Sequence, residues 1–259
     1  MAEFALICEG ITDQVIITDI LCGFFNNEDL DEDISPLQPP YDATTKKQKD
    51  FGGWQMLMAY LESSQFHDAV LNNHYVVVHV DSDISPHTGF DVKHTDDRNE
   101  ELSVEILVER IISRLIEIIN TNAADFYQTY KEKIIFCISV HSIECWLLAH
   151  YRLKTPKNPK IKGCENELKR VLESKYGQKY VRDFAKNYRY YRQLSEPFLE
   201  HKPLQFIASQ DPSFRMFWNC LESVFGTTPD FETFPMASDS TLEDLNLTRD
   251  DSSGRDVEL

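Results

Sequence analysis

The sequence predicts an α/β fold in which a parallel sheet, flanked by helices, is followed by a smaller helical region. Short apolar runs begin at residues 4, 75 and 134, and a segment with helical periodicity follows each of them. Uninterrupted apolar runs are typical of parallel strands that are buried on both faces. Strands that alternate with helices predict right-handed crossovers, and hence a parallel sheet.

The chain is predicted to enter the sheet at residues 4–8, the run FALIC. Apolar residues then recur at helical spacing over 15–24. Thr12 or Asp13 can cap this helix, because either side chain can accept a hydrogen bond from the first turn. A short strand is expected near 34–37. The N-terminal part therefore predicts the order strand, helix, strand.

The central part contains a helix predicted over 54–61 and the strongest strand signal of the chain, YVVVHV at 75–80. An amphipathic helix is predicted over 102–119. Its apolar face is expected to comprise Leu102, Ile106, Leu107, Ile111, Leu115 and Ile118. A third buried strand is predicted at 134–140, and Ser142 is expected to cap the helix after it.

Charge is distributed unevenly along the chain. The sequence has 43 acids and 26 bases, for a net charge of −17, whereas residues 151–202 hold 14 bases and six acids. We expect an α/β domain over 1–150, a basic helical region over 151–235 and a disordered acidic tail over 236–259. The tail has too few apolar residues to offset the entropy cost of folding.

Composition excludes several classes of protein. No apolar run approaches the roughly 18 residues that a membrane span needs. The first ten residues, MAEFALICEG, lack the basic segment of a secretory signal. The six cysteines include no C-x-x-C pair and do not resemble a disulfide framework. These observations predict a soluble, reduced, cytoplasmic protein.

Five carboxylates are predicted at the carboxyl ends of the strands, where open parallel sheets bind ligands. They are Glu9, Asp13, Asp81, Asp83 and Glu144. Asp81 and Asp83 are two residues apart, and a strand period of two would send both side chains to one side. Oxygen donors without His or Cys suit Mg²⁺ or Mn²⁺. Each acid also has a plain structural explanation, as a helix cap or as a solvated loop residue.

The motifs that carry these acids, CEGITD at residues 8–13 and VDSD at 80–83, resemble the Toprim domain of topoisomerases, primases and OLD-type nucleases. The pairing of E-x-x-x-D with D-x-D is similar to the OLD-type and RloB-like branch, as is the later HSIECWLLAH. The resemblance covers residues 4–150. It implies that Glu9, Asp13, Asp81 and Asp83 bind a divalent metal and that Glu144 is a further acidic position.

The resemblance also implies an activity. Relatives of this kind cleave phosphodiester bonds with divalent metals, often in prokaryotic anti-phage systems and often beside an ABC-type ATPase. The chain has no G-x-x-x-x-G-K-[ST] loop, so a companion ATPase is expected to be a separate polypeptide. Glu9 is the first candidate for a metal ligand or a base. The substrate is DNA or RNA, with tRNA as one option, and a homodimer is left open.

The basic region has two stripes at helical spacing. The aromatic stripe comprises Tyr180, Phe184, Tyr188 and Tyr191, and the basic stripe comprises Arg182, Lys186 and Arg189. These residues form either the core and solvated face of a helical domain, or a surface that binds phosphates and stacks bases. OLD-type relatives carry a late catalytic lysine, and the resemblance assigns that role to Lys186, with Lys179 as the second choice.

Two other functions compete with a nuclease. The first is a non-catalytic Toprim module that binds nucleic acid or a partner protein. The second is a receiver-like or phosphatase-like protein that uses Asp81 as a phosphoryl acceptor. The position of D-x-D after a later strand disfavours the second, because those proteins place their acidic pair on the first strand. Retention of both acidic motifs favours the enzyme over the binding module.

Overall fold

A computed structural model of the chain describes residues 3–40, 52–152, 161–181 and 188–226, and all of them belong to one compact unit. The predicted acidic tail lies outside the described residues. The boundary proposed at residue 150, between an α/β domain and a helical region, stays a prediction.

A parallel sheet lies at the centre of the described residues. Its strands are β1 (Phe4–Ile7), β2 (Ile34–Gln38), β3 (Tyr75–Asp81) and β4 (Ile134–Ser139). Their order is β2-β1-β3-β4, and each strand runs parallel to its neighbours. The predicted α/β class with a parallel sheet is therefore confirmed, and the short strand expected near residue 34 is the edge strand β2.

Helices flank the sheet. In the described residues they are α1 (Ile11–Phe25), α2 (Trp54–Leu61), α3 (Ser64–Asn72), α4 (Val104–Ile119), α5 (Phe126–Tyr130), α6 (Glu144–Tyr151), α7 (Cys164–Tyr176), α8 (Gln178–Val181), α9 (Tyr188–Ser195), α10 (His201–Gln210) and α11 (Pro212–Phe225). Short 3₁₀ helices lie at Glu28–Asp33, Ser82–Ile84, Lys131–Lys133 and Glu196–Leu199. None of the described helices combines the length and apolarity that crossing a membrane requires.

The two faces of the sheet are covered by different helices. On one face, Leu57 of α2 and Ile111 of α4 belong to the same buried cluster as Ile7 and Val78 of the strands. On the other face, the ring of Phe4 lies 5.9 Å from that of Phe225 on α11. Because both faces are covered, the strands need no polar alternation, which explains their uninterrupted apolar runs.

The amphipathic helix α4 begins two residues later than predicted. The Ser103 side chain caps it by accepting a hydrogen bond from the Ile106 N–H. Ile106 is 45% exposed, so its assignment to the apolar face was wrong. It lines an open groove of about 960 Å³ between the loop at residues 91–99 and α4.

Cys145 of α6 and Cys164 of α7 form a disulfide bond, with their Cα atoms 4.9 Å apart. The prediction that the cysteines are reduced is therefore wrong for this pair. The two residues are 19 positions apart without a C-x-x-C motif, so only the packing of α6 against α7 brings them together. Cys8, Cys22 and Cys137 are free and buried.

A polar contact joins α9, from the basic region, to α1. Asp19 of α1 is fully buried, accepts a hydrogen bond from the Ser195 hydroxyl and lies 3.1 Å from Arg192 Nη1. Arg192 Nη2 also lies 3.7 Å from a carboxylate oxygen of Asp31. Burial raises the pKa of Asp19 to about 6, although Ser195 and Arg192 act to lower it. The contact therefore holds a carboxylate whose charge is costly at neutral pH.

We predict that Asp19→Asn changes how stability depends on pH. Since its pKa is raised from 3.8 to about 6 by folding, the folded wild type binds a proton before the unfolded chain does, and gains stability as pH falls. The gain approaches about 3 kcal/mol between about pH 7 and pH 4. Relative to wild type, the variant should lose this amount over the same range. Urea unfolding at several pH values measures it, and parallel profiles would contradict the assignment.

Candidate functional site

Four acidic side chains meet beyond the carboxyl end of the sheet, and we call them the carboxylate cluster. Asp81 is the last residue of β3, and Glu9 lies two residues after β1. Asp13 is in the first turn of α1, and Glu144 is the first residue of α6. The cluster thus arises because β1 and β3 are adjacent parallel strands whose ends share one edge.

Asp81 is one of three buried acids in the cluster. It is 8% exposed, and its Oδ1 accepts hydrogen bonds from the Ser139 hydroxyl and from the Ile143 N–H, the latter at 2.9 Å. The first bond joins β3 to β4, and the second caps the N-terminus of α6. The Ser142 side chain, which was expected to cap this helix, accepts no hydrogen bond from the N–H groups of its first turn. Asp81, which lies 62 positions earlier in the sequence than Ile143, caps the helix instead.

The pKa of Asp81 is raised well above its usual range. Burial is the largest cause, and the charges of Asp13, Glu144 and Glu9 add to it, whereas the Ser139 hydroxyl acts to lower it. Carboxylates repel one another at short range in a medium of low dielectric constant. The raised pKa of Asp81 therefore indicates that Asp13, Glu144 and Glu9 lie close enough to interact with it.

His79 does not neutralise this charge. Its Nε2 lies 3.5 Å from Asp81 Oδ1 and 3.3 Å from Ser139 Oγ, and its ring is fully buried. Burial lowers the pKa of His79 to about 3, so the ring is neutral at physiological pH. Its Nδ1 has no hydrogen-bond partner among the described residues. His79 is therefore a neutral core residue in contact with Asp81.

Asp13 and Glu144 also have structural contacts. Asp13 is 5% exposed, and its Oδ2 accepts a hydrogen bond from the Gly10 N–H at 2.8 Å, which caps α1. Glu144 is 6% exposed, and its Oε1 accepts a hydrogen bond from the Tyr191 hydroxyl at 2.6 Å. Burial, followed by the charge of Glu144, raises the pKa of Tyr191, which keeps the phenol protonated as the donor. The cap expected from Thr12 or Asp13 is made by Asp13.

The position of Glu9 is set through its backbone. The Glu9 carbonyl accepts a hydrogen bond from the Gly53 N–H at 2.8 Å, just before α2 begins. Gly52 has a φ of +125°, and a Cβ at this residue would come within 2.8 Å of the same carbonyl oxygen. Only glycine allows this close approach without strain. The start of α2 is therefore packed directly against the end of β1.

Asp83 is placed differently from the other predicted ligands. β3 ends at Asp81, so Asp83 lies in the following 3₁₀ helix and its side chain is exposed. Its N–H donates to the His141 carbonyl at 2.9 Å, and its charge acts on the pKa of His141. The strand period of two therefore does not apply beyond Asp81. A role for Asp83 as a metal ligand stays a prediction.

The donor chemistry of the cluster suits a hard divalent cation, because every side chain offers carboxylate oxygen. All hydrogen bonds to Asp81 and Glu144 from the described residues fall on one oxygen of each, which leaves Asp81 Oδ2 and Glu144 Oε2 for another ligand. Within the described ranges, however, no three His, Cys, Asp or Glu side chains are placed to hold one ion. The donors therefore match Mg²⁺ or Mn²⁺ by type, and binding would require them to draw closer together.

The described residues include only part of the predicted nucleic-acid surface. Arg182 and Lys186 lie outside the described residues, as does the side chain of Lys179. On α9, Arg189 is exposed and Tyr188 is half-buried. Those two positions remain candidates for contact with nucleic acid.

The aromatic stripe, in contrast, is partly core. Tyr191 is 1% exposed, so its ring is not available to stack on a base. For Tyr191 the core explanation is therefore the correct one. Its hydroxyl nevertheless contacts the carboxylate cluster, which sequence periodicity gave no reason to expect.

Cys8 lies beside the cluster but is not a nucleophile. Its thiol is fully buried, and burial together with the charges of Asp13 and Asp81 raises its pKa well above the usual value. A thiolate is therefore disfavoured at physiological pH. This leaves the carboxylates as the chemically relevant groups at this edge of the sheet.

We predict that Asp81→Asn stabilises the metal-free protein at neutral pH. Asparagine keeps an oxygen for the Ser139 and Ile143 donors but removes a buried charge that three other acids repel. Asp83→Asn is the matched control from the same motif, and we expect it to change stability by less than about 0.5 kcal/mol because the residue is exposed. Urea unfolding in a chelator measures both. A destabilised Asp81→Asn would contradict the electrostatic account.

Comparisons of the chain with protein-family models, with curated proteins and with solved structures find no match. The carboxylate cluster and its contacts are therefore the basis on which a function is proposed.

Proposed function

We propose that the protein is a nuclease that depends on Mg²⁺ or Mn²⁺ and cleaves the phosphodiester bonds of DNA or RNA. The observation that carries this proposal is the burial of Asp81 among Asp13, Glu144 and Glu9 at the carboxyl end of a parallel sheet. Burying several like charges together is costly unless a cation or a proton offsets them. A divalent ion that binds phosphate is a natural counter-charge for such a cluster.

In this proposal the chain's own residues have distinct roles. Asp81, Asp13 and Glu144 would hold the ion, Asp83 would be a further ligand, and Glu9 would be a ligand or the group that orients water. The bound ion would supply Lewis-acid activation of water and stabilisation of the leaving oxygen. The hydrogen bonds from Gly10, Ile143 and Tyr191 would fix the orientation of the three buried carboxylates before substrate binds.

The basic segment is proposed to supply the positive charge that the cluster lacks. Lys186, or Lys179 in its place, would stabilise charge on the phosphate in the transition state. Arg182, Arg189 and Tyr188 would bind the backbone and bases of the nucleic acid. The exposed position of Arg189 on α9 supports this assignment. Because the net charge of the chain is −17, affinity would depend on this segment and on the bound ion.

The proposed setting follows from the Toprim resemblance of the motifs at residues 8–13 and 80–83. We propose a cytoplasmic effector of an anti-phage system that acts with a separate ABC-type ATPase. In such a system the nuclease would be silent until the ATPase responds to infection. The acidic surface would suit a partner that presents basic residues.

A non-catalytic module that binds nucleic acid or a partner protein is the second candidate. One observation favours it: Asp13, Asp81 and Glu144 each already accept a hydrogen bond from the protein. Acids that serve only as caps and cross-links need no metal. The absence of a preassembled group of three ligands among the described residues points the same way. Metal-dependent cleavage separates the two candidates.

We predict that the purified protein, with its ATPase partner if one is found, nicks supercoiled plasmid or cleaves RNA in Mn²⁺ and not in EDTA. Asp81→Asn should reduce the cleavage rate at least about 100-fold, because a ligand oxygen and its charge are lost. Asp68→Asn, which alters an exposed acid on α3, is the control and should cleave at the wild-type rate. Full cleavage by Asp81→Asn would place the active site elsewhere.

A further inference from the structure

A buried hydrogen bond joins α9, a helix of the basic region, to the carboxylate cluster. The hydroxyl of Tyr191 on α9 donates to Oε1 of Glu144 on α6 at 2.6 Å. Tyr191 is 1% exposed and Glu144 is 6% exposed. A short hydrogen bond to an ionised carboxylate is among the stronger polar contacts in proteins, and exclusion of water strengthens it further. The contact therefore restricts the Glu144 side chain firmly.

This hydrogen bond belongs to a set of contacts that fix the first turn of α6. Ile143 donates its N–H to Asp81 of β3, and Glu144 accepts from Tyr191 of α9. The next residue, Cys145, is disulfide-bonded to α7, and the indole N–H of Trp146 donates to Ser213 of α11 at 2.9 Å. Four successive residues are thus each tied to a different element. Among these contacts, only those of Asp81 and Tyr191 involve the cluster itself.

A packing role alone would not require a phenol at this position. Tyr151 provides the comparison, since it is 6% exposed and its hydroxyl donates to the Leu194 carbonyl at 2.9 Å. This second contact joins the same two helices, α6 and α9, without touching a carboxylate. Docking of α9 is therefore already supported, and the hydroxyl of Tyr191 has the additional effect of fixing one oxygen of Glu144.

We propose that Tyr191 is a positioning residue for metal binding at the carboxylate cluster. By fixing Glu144 Oε1, it would leave Oε2 for the ion and lower the entropy cost of drawing the ligands together. The inference rests on the proposed function, because it requires that the cluster binds a divalent ion. It also gives α9 a direct influence on the site, since Arg189 lies two residues from Tyr191 on the same helix.

The test compares Tyr191→Phe with Tyr151→Phe, using Mn²⁺ alone as the probe. Both variants lose one buried hydroxyl between α6 and α9, and each should lower the urea midpoint of unfolding by a similar amount. Free Mn²⁺ is then titrated into metal-free protein and followed by electron paramagnetic resonance. We expect Tyr191→Phe to bind Mn²⁺ about 10-fold more weakly and Tyr151→Phe to bind like wild type.

Two results would overturn the inference, and they are distinguishable. If wild type binds Mn²⁺ and Glu144→Gln weakens binding while Tyr191→Phe does not, Tyr191 is only a packing residue and the proposed function survives. Equal weakening by both Phe variants leads to the same conclusion, because it reflects loosened docking of α9. If wild type itself does not bind Mn²⁺ at the cluster, the proposed function fails and the inference fails with it.

Discussion

The buried carboxylate of Asp81 is the constraint on which the rest of this structure depends. Its Oδ1 is held by the Ser139 hydroxyl and the Ile143 N–H, so one oxygen joins β3 to β4 and sets the start of α6. Because the pKa of Asp81 is raised and the neighbouring His79 is neutral, the charge of this carboxylate must be offset by a proton or by a cation. The architecture therefore keeps a costly group at the edge of the sheet, and such groups are concentrated at functional sites.

That constraint links the sheet to the helices beyond residue 150. The first turn of α6 is held by contacts from β3, α7, α9 and α11. The basic segment includes α9. Ser195 and Arg192 of this helix contact Asp19 of α1, and its Tyr191 contacts Glu144 of α6. A segment proposed to bind phosphates is thus mechanically connected to acids proposed to bind metal. Nuclease chemistry needs both groups in one place, since the cation and the acids act on the same phosphate.

Local patterns predicted those parts of the structure that depend on neighbouring residues. Apolar runs gave β1, β3 and β4, and parallel topology explained why Glu9 and Asp81 would share an edge. Local patterns did not predict contacts between residues that are distant in sequence. Tyr191 and Glu144 are 47 positions apart, and the two disulfide-bonded cysteines are 19 positions apart. α3 was missed although Phe66, Ala69 and Val70 recur at helical spacing and are buried, because the helix is only nine residues long and its other residues are mostly polar. Asp83 was misplaced because a strand period was extended past the last strand residue.

The most direct measurement of the central claim is a crystal structure determined from crystals soaked in Mn²⁺, with anomalous scattering recorded to locate the ion. The account predicts an anomalous peak about 2.2 Å from carboxylate oxygens of Asp81 and at least one of Asp13, Glu144 and Glu9. Tyr191 should still contact Glu144 in that structure. An ordered crystal with no peak at the cluster, or with Mn²⁺ bound only elsewhere, would show that these carboxylates are structural and would contradict the proposed metal centre.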